Sequence, residues 1–376
     1  MSQDIRDFVP ASCELLGLGE PMHREPAFAL LRNELFAQLA VRGFRSIALE
    51  SDRVAALTVN DFVREGIGTL DSVLATGFSH GFGEFEANRR LVAWMREYNE
   101  NRPAAEQLAF HGFDGSMETM NVPSPRRYLE FARDYLKLDV DLASLAGADE
   151  QWDRSEAVLD ADLSPGATAA AQRLPVIADD MLVELYARAP ELIAAGSRDE
   201  LLRAETYLTA GLGLLRYHGQ AARHGFDDDT RWSRLSGTRD ALMARNLFDI
   251  RGIEARRGPT LVCAHNLHLQ KHLSSMAMGP MQLGWQSAGA IVGSLLGERY
   301  AFIAGSLGRS ATIELGEPEP GTYEGLLQSR FSTWGLLPRN AVPAGRTRTD
   351  TTPRQGYFPP DTANLEGTAA ILHIPG

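Results

Sequence analysis

The sequence predicts an α/β protein: a mainly parallel central sheet flanked by helices, with a helical lobe inserted between its strands. Three observations carry that prediction. Short apolar runs alternate with helix-periodic segments toward both ends of the chain, the pattern of parallel strands joined by covering helices. For roughly a hundred residues in the middle, apolar residues recur at helical spacing with almost no β-like alternation. Finally, four apolar runs lead directly into acids and histidines. These are Cys13–Leu18 before Glu20 and His23, Ile47–Leu49 before Glu50, Gln107–Phe113 before Asp114, and Leu261–Ala264 before His265 and His268. Parallel sheets bind ligands outside the carboxyl ends of their strands, so residues from both ends of the chain are expected to share one cleft.

The elements follow in order. After Gly19 and Glu20, Pro26 suits the first turn of a helix, Phe28, Leu31, Leu35 and Leu39 supply its apolar stripe, and Gly43 stops it. Arg45–Leu49 reads as a strand, Asp52–Glu65 and Glu84–Asn99 as helices, and Gln107–Phe113 as the next strand. From about Ser124 the helical spacing takes over, with Tyr128, Phe131 and Tyr135 marking one helix and Leu201–Arg223 and Arg239–Arg257 two long ones. The acidic, alanine-rich stretch Asp139–Ala167 reads as a solvated helical hairpin. The sheet resumes at Thr260–Ala264, followed by a helix at Ala288–Leu296 and a strand at Tyr300–Ala304. Glu317–Pro320 and Pro338–Gly356 read as surface loops, and Ala369–Ile374 as the last strand. The expected organisation is one domain over 1–376, its core at 11–119 and 259–376 and its lobe at 120–258.

Composition narrows the function. A chain of 376 residues with 44% hydrophobic and 8% aromatic residues buries a sizeable core. A net charge of −12 without a Lys/Arg run argues against nucleic-acid and anionic-membrane partners and favours a small molecule. The two cysteines, Cys13 and Cys263, lie in apolar runs and offer neither a disulfide framework nor a zinc site. Met1–Pro10 is polar, without a signal-peptide core, and no apolar stretch approaches ~20 residues, so a soluble cytoplasmic protein is expected.

Glu20 and His23 lie where a strand turns into a helix. An imidazole held there can take a proton from water near neutral pH, or Glu20 merely caps a turn and His23 is a surface residue. Arg32, close to the buried stripe of the next helix, either pairs with an acid such as Glu50 or aims at a ligand oxygen. Glu50 either orients His23 or caps the segment opening at Ser51 and Asp52. His265 and His268 face one cleft if a helical turn begins there, as oxyanion donors or as a metal pair completed by Glu20 or His23. The remaining histidines, 80, 111, 218, 224, 272 and 373, read as structural. There is no Gly-x-Ser-x-Gly elbow, P-loop or dinucleotide fingerprint. Water activation is the economical chemistry.

An ordered set of motifs resembles one family. It comprises Leu18-Gly19-Glu20-x-x-His23, Arg32, Phe44-Arg45-Ser46-Ile47-Ala48-Leu49-Glu50, Gly112-Phe113-Asp114, Arg239-Asp240-x-x-Met243-Ala244-x-Asn246, Ala264-His265-Asn266-x-His268 and Gly356-Tyr357-Phe358-Pro359. The set resembles the erythromycin esterase-like family, which includes succinoglycan-biosynthesis homologues. The resemblance implies that family's α/β fold with a helical lobe, and a hydrolase that opens a macrolide lactone with activated water. It makes His23 the general base, with Glu50 orienting it or the water, and Glu20, Arg32, His265 and His268 completing the polar cleft. Substrate contacts are expected from Met22, Arg24, Asp114 and Asn266; no cofactor or metal is expected. The family usually has Thr before the histidine and Gly after it, so Met22 and Arg24 imply a bulkier, more cationic entrance. Besides ester or lactone hydrolysis, two further readings stay open. One is a natural-product biosynthetic enzyme using the same residues for dehydration, cyclisation or group transfer; the other is a non-catalytic binder of a haem-type ligand.

Overall fold

A computed structural model describes residues 4–118 and 120–376; Met1–Gln3 of the polar leader lie outside the described residues. Nine strands are seen among them: β1 Leu15–Glu20, β2 Ser46–Asp52, β3 Ala109–Asp114, β4 Thr260–His265, β5 Leu273–Met278, β6 Met281–Gln286, β7 Tyr300–Leu307, β8 Gly335–Pro338 and β9 Ala370–Ile374. Seven form the central sheet in the order β3-β2-β4-β1-β7-β9-β8, parallel except for β8, which runs antiparallel to β9.

The central strands have apolar middles on both faces because both faces of the sheet are covered. On one face Leu16, Leu18, Ile47, Leu49, Leu261 and Cys263 pack against helices α1 (Pro26–Val41), α2 (Ala56–Glu65), α3 (Leu70–Thr76) and α4 (Glu86–Asn99). On the other, Leu15, Ala48, Phe113, Val262, Ala264 and Phe302 meet Met243, Ala244, Leu247 and Ile250 of the long helix Asp228–Glu254, with Ala288 and Val292 of the helix Ala288–Leu296. Between β3 and β4 the helices Arg126–Leu136, Ala169–Ala187 and Arg198–Ala221 build an apolar cluster of their own around Leu129, Leu174, Met181 and Leu208. Among the described residues no helix is long and apolar enough to cross a membrane.

Several boundaries differ from the sequence reading. The strands carry on through their polar ends: Glu20 still pairs in register with His265, and Glu50 and Asp114 lie inside β2 and β3. α2 begins only at Ala56, because the Asp52 carboxylate first accepts the Val54 and Ala55 amides at 2.7 and 3.1 Å. The stretch 139–167 is no solvated hairpin. It is a string of single turns pinned by buried Leu142, Trp152 and Val158, and the Trp152 indole donates to Ala146 O at 2.9 Å. The hairpin β5–β6, turning at Gly279 with φ +59°, and the short strand β8 were not expected.

Candidate active site

Strands β3, β2, β4 and β1 are neighbours, so their carboxyl ends set Asp114, Glu50, His265 and Glu20 side by side. Two backbone features shape this edge. β2 shifts register between Leu49 and Asp52, and Gly112 lets it press close: a Cβ there would meet the Ser51 and Asp52 carbonyls at 2.5 Å. Gly305 on β7 abuts the β1 end equally tightly, since a Cβ would lie 2.4 Å from Gly19 O and 3.0 Å from Glu20 Cα.

His23 leaves β1 in a turn closed by Arg24 in a left-handed conformation, φ +68°, before Glu25 caps α1. Its Nδ1 donates to Glu20 Oε1 at 2.8 Å, which leaves Nε2 facing Glu50 Oε1 at 3.7 Å. Phe82 and His265 flank the ring, with centroids 5.4 and 5.3 Å away. Burial works against the imidazolium, but the Glu50 and Glu20 carboxylates outweigh it and push His23 up to about 9.

Glu50 is the hub. Its Oε2 accepts the His265 backbone N–H at 2.9 Å, while Oε1 faces Arg239 Nη2 at 3.3 Å and His268 Nε2 at 3.4 Å. Burial raises its pKa, but His268, His23 and Arg239 together bring it down to about 2. The helix cap that the sequence allowed does not describe this residue.

The histidine that ends β4 and the one in the turn beyond it are shifted in opposite directions. A helical turn does begin there, at Asn266–Leu269. His268 Nδ1 lies 3.0 Å from Asp240 Oδ2, and Asp240 is fixed in turn by the Trp285 indole at 3.1 Å and the Ala288 amide at 2.8 Å. Burial opposes its charge, yet Asp240 and Glu50 raise its pKa. His265 Nδ1 accepts the Leu267 N–H at 3.1 Å, so its proton sits on Nε2. Burial and the charge of His23 push His265 down to about 3, against the opposing pull of the Pro21 carbonyl, and its Nε2 is closed off from solvent. It is a neutral ring that carries its proton on Nε2.

The remaining expected residues divide. Arg32 lines the same cavity as Glu20 and Glu50, but it pairs with the side-chain oxygens of Asn33 and Asn88; the arginine on Glu50 is Arg239. Asp114 is fully buried beneath Arg239 and His80, so it acts on a ligand only through them. Asn266 spends its amide on Gly305, donating to its carbonyl at 2.9 Å and accepting its N–H at 3.0 Å. Met22 turns into the core, 3% exposed, so of this pair only Arg24 is exposed at the cavity. The bulkier entrance expected of Met22 is therefore corrected.

His80 lies nearer the site than the sequence indicates. Expected as structural, it lies 3.0 Å from Asp114 Oδ2 and 3.5 Å from Arg239 Nη2, with φ +57°. Arg239 and Asp240 had only a motif to recommend them. A sharper signal was available for Asp240: an acid on the stripe it shares with Met243, Ala244 and Leu247 must be partnered inside the core. His80 sits in a loop that no periodicity marks. Among the described residues no group of three or more His, Cys, Asp or Glu side chains is arranged to hold a metal ion.

The cavity holds about 410 Å³. Glu20 and Glu50 line it, and these two carboxylates connect it to the His23 imidazole, which Glu20 grips and Glu50 faces, and to His265, whose amide Glu50 holds. Such a set can deprotonate water and receive negative charge on an oxygen.

Comparisons with known proteins fit this architecture. The chain superposes on a Bacillus cereus protein at 16% identity, covering 98% of this chain and 90% of that one, with a TM-score of 0.68. It superposes on a mutant of the erythromycin esterase EreC in its open conformation at 19% identity, 97% and 91% coverage and a TM-score of 0.66. A succinoglycan biosynthesis protein gives 16% identity, 98% and 89% coverage and a TM-score of 0.65. No curated protein sequence matches. The family model for erythromycin esterase matches residues 39–365, most of the chain although short of Glu20, His23 and Arg32, and so the protein belongs to the erythromycin esterase family.

Proposed function

We propose that this protein hydrolyses a carboxylic ester or lactone with water activated by His23. Family membership supports a hydrolase-type function on a small molecule. The observation that carries the finer reading is the packing of His23, pushed up to about 9, against His265, pushed down to about 3. His23 is oriented through Nδ1 by Glu20, and His265 packs against it as a neutral ring that carries its proton on Nε2.

In the reaction so read, His23 Nε2 takes a proton from water as the water oxygen bonds to the substrate carbonyl carbon. The carbonyl oxygen gains the negative charge and accepts the His265 Nε2–H. The carbon–oxygen ester bond then breaks, and the leaving oxygen recovers the proton from His23. Glu50, 3.7 Å from Nε2, is placed to hold the attacking water and to stabilise the imidazolium. Its ionised state is maintained by Arg239 and His268. Because His23 is pushed up to about 9, its basic form grows as pH rises.

The test is a panel of aryl esters and macrolactones with the parent protein and the His23→Ala and His23→Gln variants, with melting temperature as the folding control. Loss of about 10²–10⁴-fold in turnover for both variants is expected. Activity of His23→Ala within about threefold of the parent, far short of that loss, contradicts the reading. Hydrolysis in ¹⁸O-water should place one labelled oxygen in the acid product of a single turnover; unlabelled acid contradicts direct attack by water.

A further inference from the structure

Arg32 lies one turn beyond Phe28 on α1, and its guanidinium is held in an unusual way. Nε and Nη2 donate to Asn33 Oδ1 at 3.1 and 2.9 Å, and Nη2 donates also to Asn88 Oδ1 at 2.8 Å. Both amides are themselves fixed. Asn33 Nδ2 donates to Ala87 O and Asn88 Nδ2 to Phe82 O, each at 2.8 Å, which turns both amide oxygens toward the arginine. Neutral acceptors set the direction of a guanidinium without cancelling its charge. Among the described residues Arg32 has no carboxylate oxygen within 4.0 Å, and its Nη1 makes no hydrogen bond.

The acids that share the cavity have their hydrogen bonds elsewhere, and of them Glu20 acts on Arg32 only at longer range. Glu20 holds His23, Glu50 holds Arg239 and the His265 amide, Glu25 accepts from Ser310 at 2.6 Å, and Glu86 pairs with Arg90 at 2.9 Å. Arg24, the other unmatched cation of the lining, is exposed at the mouth. Most of the remaining wall is apolar, made by Leu18, Phe28, Leu49, Phe82, Phe85 and Cys263. An arginine in such a wall, oriented but not neutralised, has the form of a ligand anchor.

We propose that this cavity takes a ligand with an apolar body and a carboxylate, and that Arg32 Nη1 holds the carboxylate. Set on the hydrolase reading, the substrate is an ester or lactone carrying a second, remote carboxylate. Glu20 and Glu50 repel a bare anion, so the charged group goes to Arg32 and the neutral ester faces the two glutamates. The charge pattern of the cavity thereby orients the substrate.

Octanoate and octanamide, titrated calorimetrically at pH 7, test the anchor with probes that need no turnover. The parent should bind octanoate at least about tenfold more tightly than octanamide, the scale of a charge-assisted hydrogen bond. Arg32→Met should abolish that preference while keeping the affinity for octanamide, which also reports that the cavity is intact. Equal affinities in the parent, no binding of octanoate, or a preference that survives in Arg32→Met overturns the proposal. Because nothing is hydrolysed, a protein that cleaves no ester can still pass, and an esterase that ignores octanoate loses only the anchor.

Discussion

Replacing Arg239 with glutamine removes the cation shared by two carboxylates that water hardly reaches. Asp114 is 0% and Glu50 4% exposed. Taking one partner from a buried ion pair costs about 3–5 kcal/mol, because the remaining charge stays buried. Asp114 keeps His80 at 3.0 Å and Glu50 keeps the His265 amide at 2.9 Å, so the lower end, about 3 kcal/mol, is expected. A chain of this length unfolds with an entropy of about 0.8 kcal/mol/K, so the melting temperature should fall by about 4 °C. A second consequence follows from the charge. Arg239 opposes protonation of His23, and without it the pKa of His23 moves further up. The rise of kcat/KM with pH should then shift to higher pH. Calorimetry and the pH profile read the two effects separately. A melting temperature within about 1 °C of the parent, or a limb displaced to lower pH, refutes the reasoning.

His265→Ala should lower kcat about 10²–10³-fold with little change in KM, since it removes the Nε2–H while the backbone amide still holds Glu50; an unchanged kcat in steady-state kinetics contradicts this. Gly305→Ala sets a Cβ 2.4 Å from Gly19 O and 2.9 Å from Pro21 Cδ, so it should displace Glu20 and destabilise by about 1–3 kcal/mol, measured by urea unfolding. Stability should also depend on pH at both ends. Glu50, held at about 2, contributes stability that is present above its ordinary pKa of 4.5 and lost as pH falls through about 2. His23, pushed up to about 9, contributes stability that is full below 6.5 and lost as pH rises through about 9. Urea midpoints across pH should show both losses, and Glu50→Gln and His23→Ala should each flatten their own limb.

The sheet was legible because parallel strands covered on both faces must be continuously apolar, so a run such as Leu261–Ala264 identifies itself. Glu50 and His265 were legible for the same reason, as the polar residues that end such runs. What the sequence leaves hidden comes from long-range partnership. Arg239 reaches Glu50 and Asp114 from a helix far along the chain, and nothing local distinguishes it from other helical arginines. His80 depends on a loop whose left-handed backbone only the folded neighbours impose. Of the two alternatives open for Arg32 in the sequence, an acid partner and a ligand oxygen, the structure shows no acid partner among the described residues: Asn33 and Asn88 orient it instead, and no local pattern announces a pair of amides. The 139–167 segment misled through its composition, which conceals the few apolar residues that anchor it.

The most direct test of His23 as the base is the pH dependence of kcat/KM for an ester that the parent protein cleaves. The account predicts a rise of about tenfold per pH unit on the acid side, levelling above about 9 as Nε2 loses its proton, with no such limb in His23→Ala. A rate that is highest below this value and falls as His23 deprotonates contradicts it, because the imidazolium would then be the working form and the base must be sought among the carboxylates.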